Sequence, residues 1–183
     1  NLEIVIPVYN EGEKILKLLK IFSDLVKTNF KVLICYDLKN DDILFLDFGP
    51  IFEEWEADFG RTYVVGNDSY KNKLKNDIEN AWYDGKKYFN SKTEITGAHL
   101  YAYCNELAEK YGWEFGGEIA GHIIGQYPHE KLEKEDKTNY IHPDNHSNMF
   151  DLNKKGEKKN WILEIHFVDK AKEIGGFFEQ LLA

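Results

Sequence analysis

Four acidic residues stand inside apolar, strand-like runs, and any fold of this chain must accommodate them. Asp47 lies in Ile-Leu-Phe-Leu-Asp-Phe-Gly and Asp58 in Trp-Glu-Ala-Asp-Phe-Gly-Arg. Glu164 lies in Trp-Ile-Leu-Glu-Ile-His-Phe and Glu179 in Gly-Gly-Phe-Phe-Glu-Gln-Leu-Leu. The two-residue period of a strand puts Ile43 and Phe45 on the face of Asp47, and Ile162 and Val168 on the face of Glu164. These acids are therefore expected on apolar faces, where an ionised carboxylate without a partner is strongly unfavourable. Taken singly, an acid in a strand usually lies on a solvated face. Four together read as ligands of divalent cations, which suit carboxylate and imidazole donors.

The chain has 183 residues, enough for one domain with a two-part construction. Its 43% hydrophobic and 15% aromatic content supports a packed core rather than a disordered segment. A net charge of −9 argues against nucleic acid or an anionic membrane as the main partner. The two cysteines, Cys35 and Cys104, sit in apolar context without CxxC spacing. They read as buried thiols, not as a disulfide framework or a structural zinc site. With no apolar run of membrane-spanning length and no leader-like N-terminus, a cytoplasmic location is expected.

Residues 2–8 and 30–36 read as buried strands, and residues 11–27 between them have helical spacing. Together they predict a βαβ unit. From residue 43 the texture changes. Strand-like segments near 43–47, 51–57 and 61–65 follow closely enough to be antiparallel. Helices are predicted at 69–90 and 97–111, the second stopped by Gly112. Strands return near 120–127, 161–168 and 173–182, and 131–160 reads mostly as loop.

Residues 43–183 resemble the M24 metallopeptidases: methionine aminopeptidases, Xaa-Pro aminopeptidases and prolidases. The resemblance rests on Asp47-Phe-Gly, Asp58-Phe-Gly-Arg61-Thr62 and Gly121-His122-Ile-Ile-Gly125-Gln-Tyr-Pro-His129-Glu, followed by Glu164 and Glu179. It implies an α+β fold, part of the pita-bread architecture: a curved antiparallel sheet with covering helices, here preceded by the βαβ unit. It implies metal ligation by Asp47, Asp58, His122, Glu164 and Glu179. It implies two divalent ions as cofactors (Mn, Co, Fe(II) or Zn) and a peptide substrate. In that pattern a hydroxide bridging the metals attacks the N-terminal peptide bond, Glu164 shuttles the proton and His129 faces the substrate. The chain departs from the pattern after Glu164, where Ile165-His166 replaces the usual proline. The helices and strands that normally precede the first aspartate are also not recognised.

In their place residues 2–42 resemble the start of a family 2 glycosyltransferase of the GT-A type. The resemblance rests on Ile-Val-Ile-Pro-Val-Tyr-Asn-Glu and Val-Leu-Ile-Cys-Tyr-Asp37. No Asp-x-Asp motif follows. The expected division is thus a GT-A-like fragment at 1–42 and an M24 catalytic portion at 43–183.

The other candidates have plainer readings. His142 and His146 read as turn residues that could line the mouth of a substrate pocket, and His99 as a surface residue at a helix start. His166 shares a face with Glu164 and reads equally as a structural histidine or as a support behind the ligands. Arg61 reads as a structural ion pair near the site, and Glu53, Glu54 and Glu56 as solvated. Asp37, Asp41 and Asp42 could bind a nucleotide only with strands this chain lacks, and Asn10-Glu11-Gly12 reads as a helix start. Three functions follow: a dinuclear-metal aminopeptidase or Xaa-Pro peptidase, an M24-like metal- or peptide-binding module without turnover, and a glycosyltransferase fragment. An uncovered apolar face would also favour a homodimer.

Overall fold

A computed structural model describes residues 2–8, 20, 30–36, 42–53, 55–125 and 136–183. The chain divides into two compact units, Asn1–Asp42 and Ile43–Ala183. In the first, β1 (Leu2–Val8) and β2 (Phe30–Tyr36) pair in parallel, from Leu2 opposite Phe30 to Val8 opposite Tyr36. Both strands carry β-branched residues, joined in β2 by Phe30 and Tyr36, and such residues favour extended backbone. Parallel strands need a crossover connection. The predicted helix at 11–27 lies outside the described residues, apart from the helical Lys20. Asn10, Glu11, Gly12, Asp37 and Asp41 lie outside them as well.

The second unit is built on an antiparallel sheet. Its strands are β3 (Ile43–Phe48), β6 (Phe59–Val64), β10 (Ile174–Leu181), β9 (Asn160–Asp169) and β7 (Glu114–Phe115), in that spatial order. A short β8 (Ile123–Ile124) also pairs with β9. The predicted strand at 51–57 is instead a small hairpin of β4 (Ile51–Phe52) and β5 (Trp55–Glu56), because Glu53 takes a positive φ of 47°. The strand predicted at 120–127 is limited to β8 among the described residues, and residues 126–127 lie outside them. β7 has no counterpart in the sequence reading, being two residues long.

Helix α1 (Ser69–Asn90) starts where the Asp68 side chain accepts from the backbone N–H groups of Tyr70 and Lys71. Leu74, Ile78, Ala81, Trp82, Gly85 and Phe89 form its buried stripe. Helix α2 (Gly97–Tyr111) is capped by Thr96 and ends at Gly112, whose φ of 82° suits glycine. Both helices cover one face of the sheet, with Leu163, Ile165 and Phe167 of β9 and Phe178 of β10 joining Trp82, Leu100, Cys104 and Leu107 in the core. The Trp82 indole N–H donates to the Leu163 carbonyl at 2.9 Å, which keeps its one polar atom satisfied inside that core. Among the described residues no helix is long and apolar enough to cross a membrane.

Candidate metal centre

The acidic side chains meet on the sheet face opposite the helices, and strand register brings them there. Asp47 of β3 stands opposite Gly60 of β6, Gly60 opposite Glu179 of β10, and Glu179 opposite Glu164 of β9. Directly opposed residues of antiparallel strands point to the same face, so this transverse row carries three carboxylates. Asp58 lies just before β6, two residues from Gly60, and is not itself in a strand. The face is more open than the sequence pattern predicts. Phe45 is 57% exposed and Asp47 is exposed, because β3 is the edge strand; Glu164 and Glu179, on central strands, are buried.

His122 arrives on a segment laid along the side of β9 away from β10. The Ile162 N–H donates to the His122 carbonyl at 2.8 Å, and the Glu164 N–H to the Ala120 carbonyl at 2.9 Å. Gly121, between them, has a φ of 134°, and a Cβ there would lie 2.0 Å from the Ile162 carbonyl oxygen. Only glycine allows this approach.

His122 Nε2 is 3.3 Å from Asp58 Oδ2 and 3.6 Å from Glu164 Oε1. Its Nδ1 lies 2.8 Å from the Ile123 carbonyl oxygen, which suits Nδ1–H as donor and turns Nε2 toward the acids. One donor atom each from Asp58, His122 and Glu179 fall within 4.8 Å of one another. Asp47 joins through a carboxyl–carboxyl contact with Glu179.

Electrostatics mark the site as unfavourable on its own. Burial, and then the charges of Glu164, Asp58 and Asp47, push the Glu179 carboxyl up to about 9. Partial burial and the same crowding by Asp58 and Glu164 raise Asp47. For His122 burial opposes the charged form, but the hydrogen bond to Asp58, the Ile123 carbonyl and the charge of Glu164 outweigh it, giving about 9. Glu179 Oε2 is buried and has no hydrogen-bond partner among the described residues. An orphaned carboxylate oxygen beside three further acids and an imidazole fits a divalent cation. The Cys104 thiol plays no part; it is sealed in the core, where burial pushes its pKa up.

The remaining predicted residues fall in different places. His166 Nε2 is 3.0 Å from Glu164 Oε2. Arg61 makes no ion pair among the described residues. It donates to the carbonyls of Gly60 and Glu179 (2.7 Å each) and to the Gln180 side chain, and lies 3.8 Å from the Phe178 ring centroid. It thus ties β6 to β10 at the Glu179 backbone. His142 accepts from the Asp144 N–H at 3.0 Å within a turn. His146 and His99 are exposed, and His129 and Glu54 lie outside the described residues. Glu53 is exposed, but Glu56 is half-buried rather than solvated, with its N–H donating to the Gly125 carbonyl at 3.3 Å.

The sequence reading gives no role to three residues at the site, Thr62, Phe177 and Gly60. Thr62 Oγ1 donates to the Phe177 carbonyl and accepts from the Phe177 N–H, both at 2.8 Å, sealing β6 to β10. The Phe177 ring occupies the space over Gly60, where a Cβ would come within 2.1 Å of it. A glycine inside a strand is the signal that could have revealed this close approach.

The model of metallopeptidase family M24 matches residues 25–154, more than half of the chain. The chain belongs to metallopeptidase family M24. Solved structures of the pita-bread fold are similar to it. X-Pro aminopeptidase from Thermotoga maritima matches at 22% identity and a TM-score of 0.61, over 85% of this chain and 42% of that one. Methionine aminopeptidase from Rickettsia prowazekii matches at 20% and 0.57, over 79% and 61%. Prolidase from Pyrococcus furiosus matches at 19% and 0.56, over 76% and 37%. The chain spans less than two thirds of the length of each, and at these identities the likeness is one of fold. No curated protein sequence matches the chain. The family match begins at residue 25, inside the segment read as transferase-like, and none of the three structures is a glycosyltransferase. It ends before β9 and β10; strand register places Glu164 and Glu179 in the row with Asp47.

Proposed function

We propose that this M24 chain is a peptide hydrolase dependent on two divalent metal ions, acting at a peptide N-terminus as an aminopeptidase or Xaa-Pro peptidase. The observation that carries the reading is the convergence of Asp58, His122 and Glu179 donor atoms within 4.8 Å, around a buried carboxylate oxygen that lacks a partner among the described residues. Asp47, Asp58, His122, Glu164 and Glu179 would hold the ions. Bound divalent ions supply Lewis-acid polarisation of the scissile carbonyl and a more acidic water.

The chain's own residues supply the rest. Glu164 takes the proton from the attacking water and returns it to the leaving amine, a general acid–base role suited to a carboxylate at the edge of a buried cluster. The Ile123 carbonyl accepts from His122 Nδ1–H and holds the ring with Nε2 toward the centre. The buried floor made by β9 and β10 limits water around Glu164 and Glu179. His129 is the proposed donor to the oxyanion, and His142 and His146 the proposed rim of the substrate site.

The reading is tested by metal stoichiometry coupled to a peptide-hydrolysis screen. Two Mn or Co ions per chain are expected, with turnover of short peptides that falls at least about 100-fold in His122→Ala and Asp58→Asn. No uptake of these ions overturns it. A second reading, a metal- or peptide-binding module without turnover, draws support from the exposure of Asp47 and from the partial span of the matched peptidases. Metal binding with no hydrolysis across the screen would select it.

A further inference from the structure

We infer that His166 is a positioning residue that fixes the Glu164 carboxylate for metal binding, and that Phe177, seated over Gly60, fixes His166. The inference rests on the metal-centre reading above and goes beyond it to a residue outside the ligand set.

Glu164 and His166 are two apart on β9 and share a face, with Nε2 3.0 Å from Oε2. The other oxygen, Oε1, faces His122 Nε2 at 3.6 Å. Glu164 is thus approached by a nitrogen at each oxygen, which restricts it to one orientation. With an ionised carboxylate as acceptor, His166 Nε2–H is the donor.

The imidazole is itself held. Across the β9–β10 ladder His166 stands opposite Phe177, as Glu164 stands opposite Glu179. The two rings stack with centroids 5.3 Å apart and planes 19° from parallel. Phe115 meets the imidazole edge-on at 6.3 Å, and a Cβ at Gly117 would lie 3.1 Å from His166 Cδ2. Phe177 in turn rests edge-to-face against Phe45 at 4.9 Å and fills the space that a side chain at Gly60 would take. An exposed histidine with only a structural role needs no such enclosure. Among the described residues, Glu164 is the acid within bonding reach of Nε2.

Three variants test this: His166→Phe, which keeps the stack and removes the donor; His166→Gln, whose amide nitrogen can stand in for Nε2–H; and Phe177→Leu. Co(II) affinity is measured by calorimetry and the ligand field by visible absorption, with the denaturation midpoint as a check on folding. For His166→Phe, Co(II) binding weaker by about 10–100-fold and a shifted absorption band are expected. His166→Gln is expected to restore binding and band to near wild type. Phe177→Leu should weaken Co(II) binding by a smaller factor and add nothing to His166→Phe in the double variant. Wild-type affinity and spectrum in His166→Phe, or no rescue by His166→Gln, overturns the inference while leaving the metal centre standing. A wild-type chain that takes up no Co(II) overturns both.

Discussion

Removing metal should make the protein progressively less stable as pH rises through neutrality, and the site sets both the sign and the size. Glu179 is held at about 9 and His122 at about 9 in the folded chain, against ordinary values of 4.5 and 6.5. For His122 the raised value gives stability that is complete below 6.5 and lost as pH climbs toward 9. For Glu179 the raised value means that unfolding releases a proton everywhere between about 4.5 and 9, so deprotonation favours the unfolded chain across that range. Both groups therefore give a negative slope of stability with pH. Each contributes about 1.4 kcal/mol per pH unit where its folded form is protonated and its unfolded form is not. Between pH 6.5 and 8 the two together amount to roughly 4 kcal/mol, a large part of a domain's typical stability of about 5–15 kcal/mol. The depressed carboxyls Asp68, Asp84, Asp136 and Asp169 titrate at lower pH and leave this window alone.

Urea denaturation with a chelator at pH 6.5 and 8 measures this loss. Glu179→Gln, a neutral mimic of the protonated acid, should remove the larger part of the slope. Saturating Mn or Co should reverse it, because ligation displaces those protons and is favoured at higher pH. A metal-free chain whose stability is flat or rises over that interval would refute the picture of acids crowded against one another.

Gly60→Ala should drive Phe177 out of its seat, since the new Cβ would lie 2.1–2.8 Å from its ring atoms. A stability loss of about 1–3 kcal/mol by urea denaturation, accompanied by weaker Co(II) binding, is expected. Asp68→Ala removes the acceptor for two N–H groups at the start of α1 and should lower the urea midpoint while leaving Co(II) affinity unchanged. Loss of metal binding in Asp68→Ala would contradict the separation of helix capping from the site.

The helices were legible because their signals are local. Apolar residues at helical spacing, and Gly112 at the end of the second helix, all lie within a few turns of one another. The two long strands β9 and β10 were legible from apolar runs. Less local features were misread. The stretch 51–57 has strand-like composition, yet the positive φ at Glu53 folds it into a hairpin. Arg61 reads as half of an ion pair, but its guanidinium goes to carbonyls of β6 and β10. Asp47 sits in an apolar run whose face is open, because pairing leaves β3 at the sheet edge.

By itself the sequence named acids and imidazoles with the chemistry of cation ligands, together with the helices and long strands of the second unit, since residue chemistry and periodicity act over short stretches of chain. Only the tertiary structure decided that Asp47, Gly60, Glu179 and Glu164 form one row, that His166 faces Glu164 under the Phe177 ring, and how far each acid is buried. Those outcomes depend on register between strands remote in sequence. A shift of one residue would send every acid of a strand to the opposite face, and no local pattern of side chains encodes that choice.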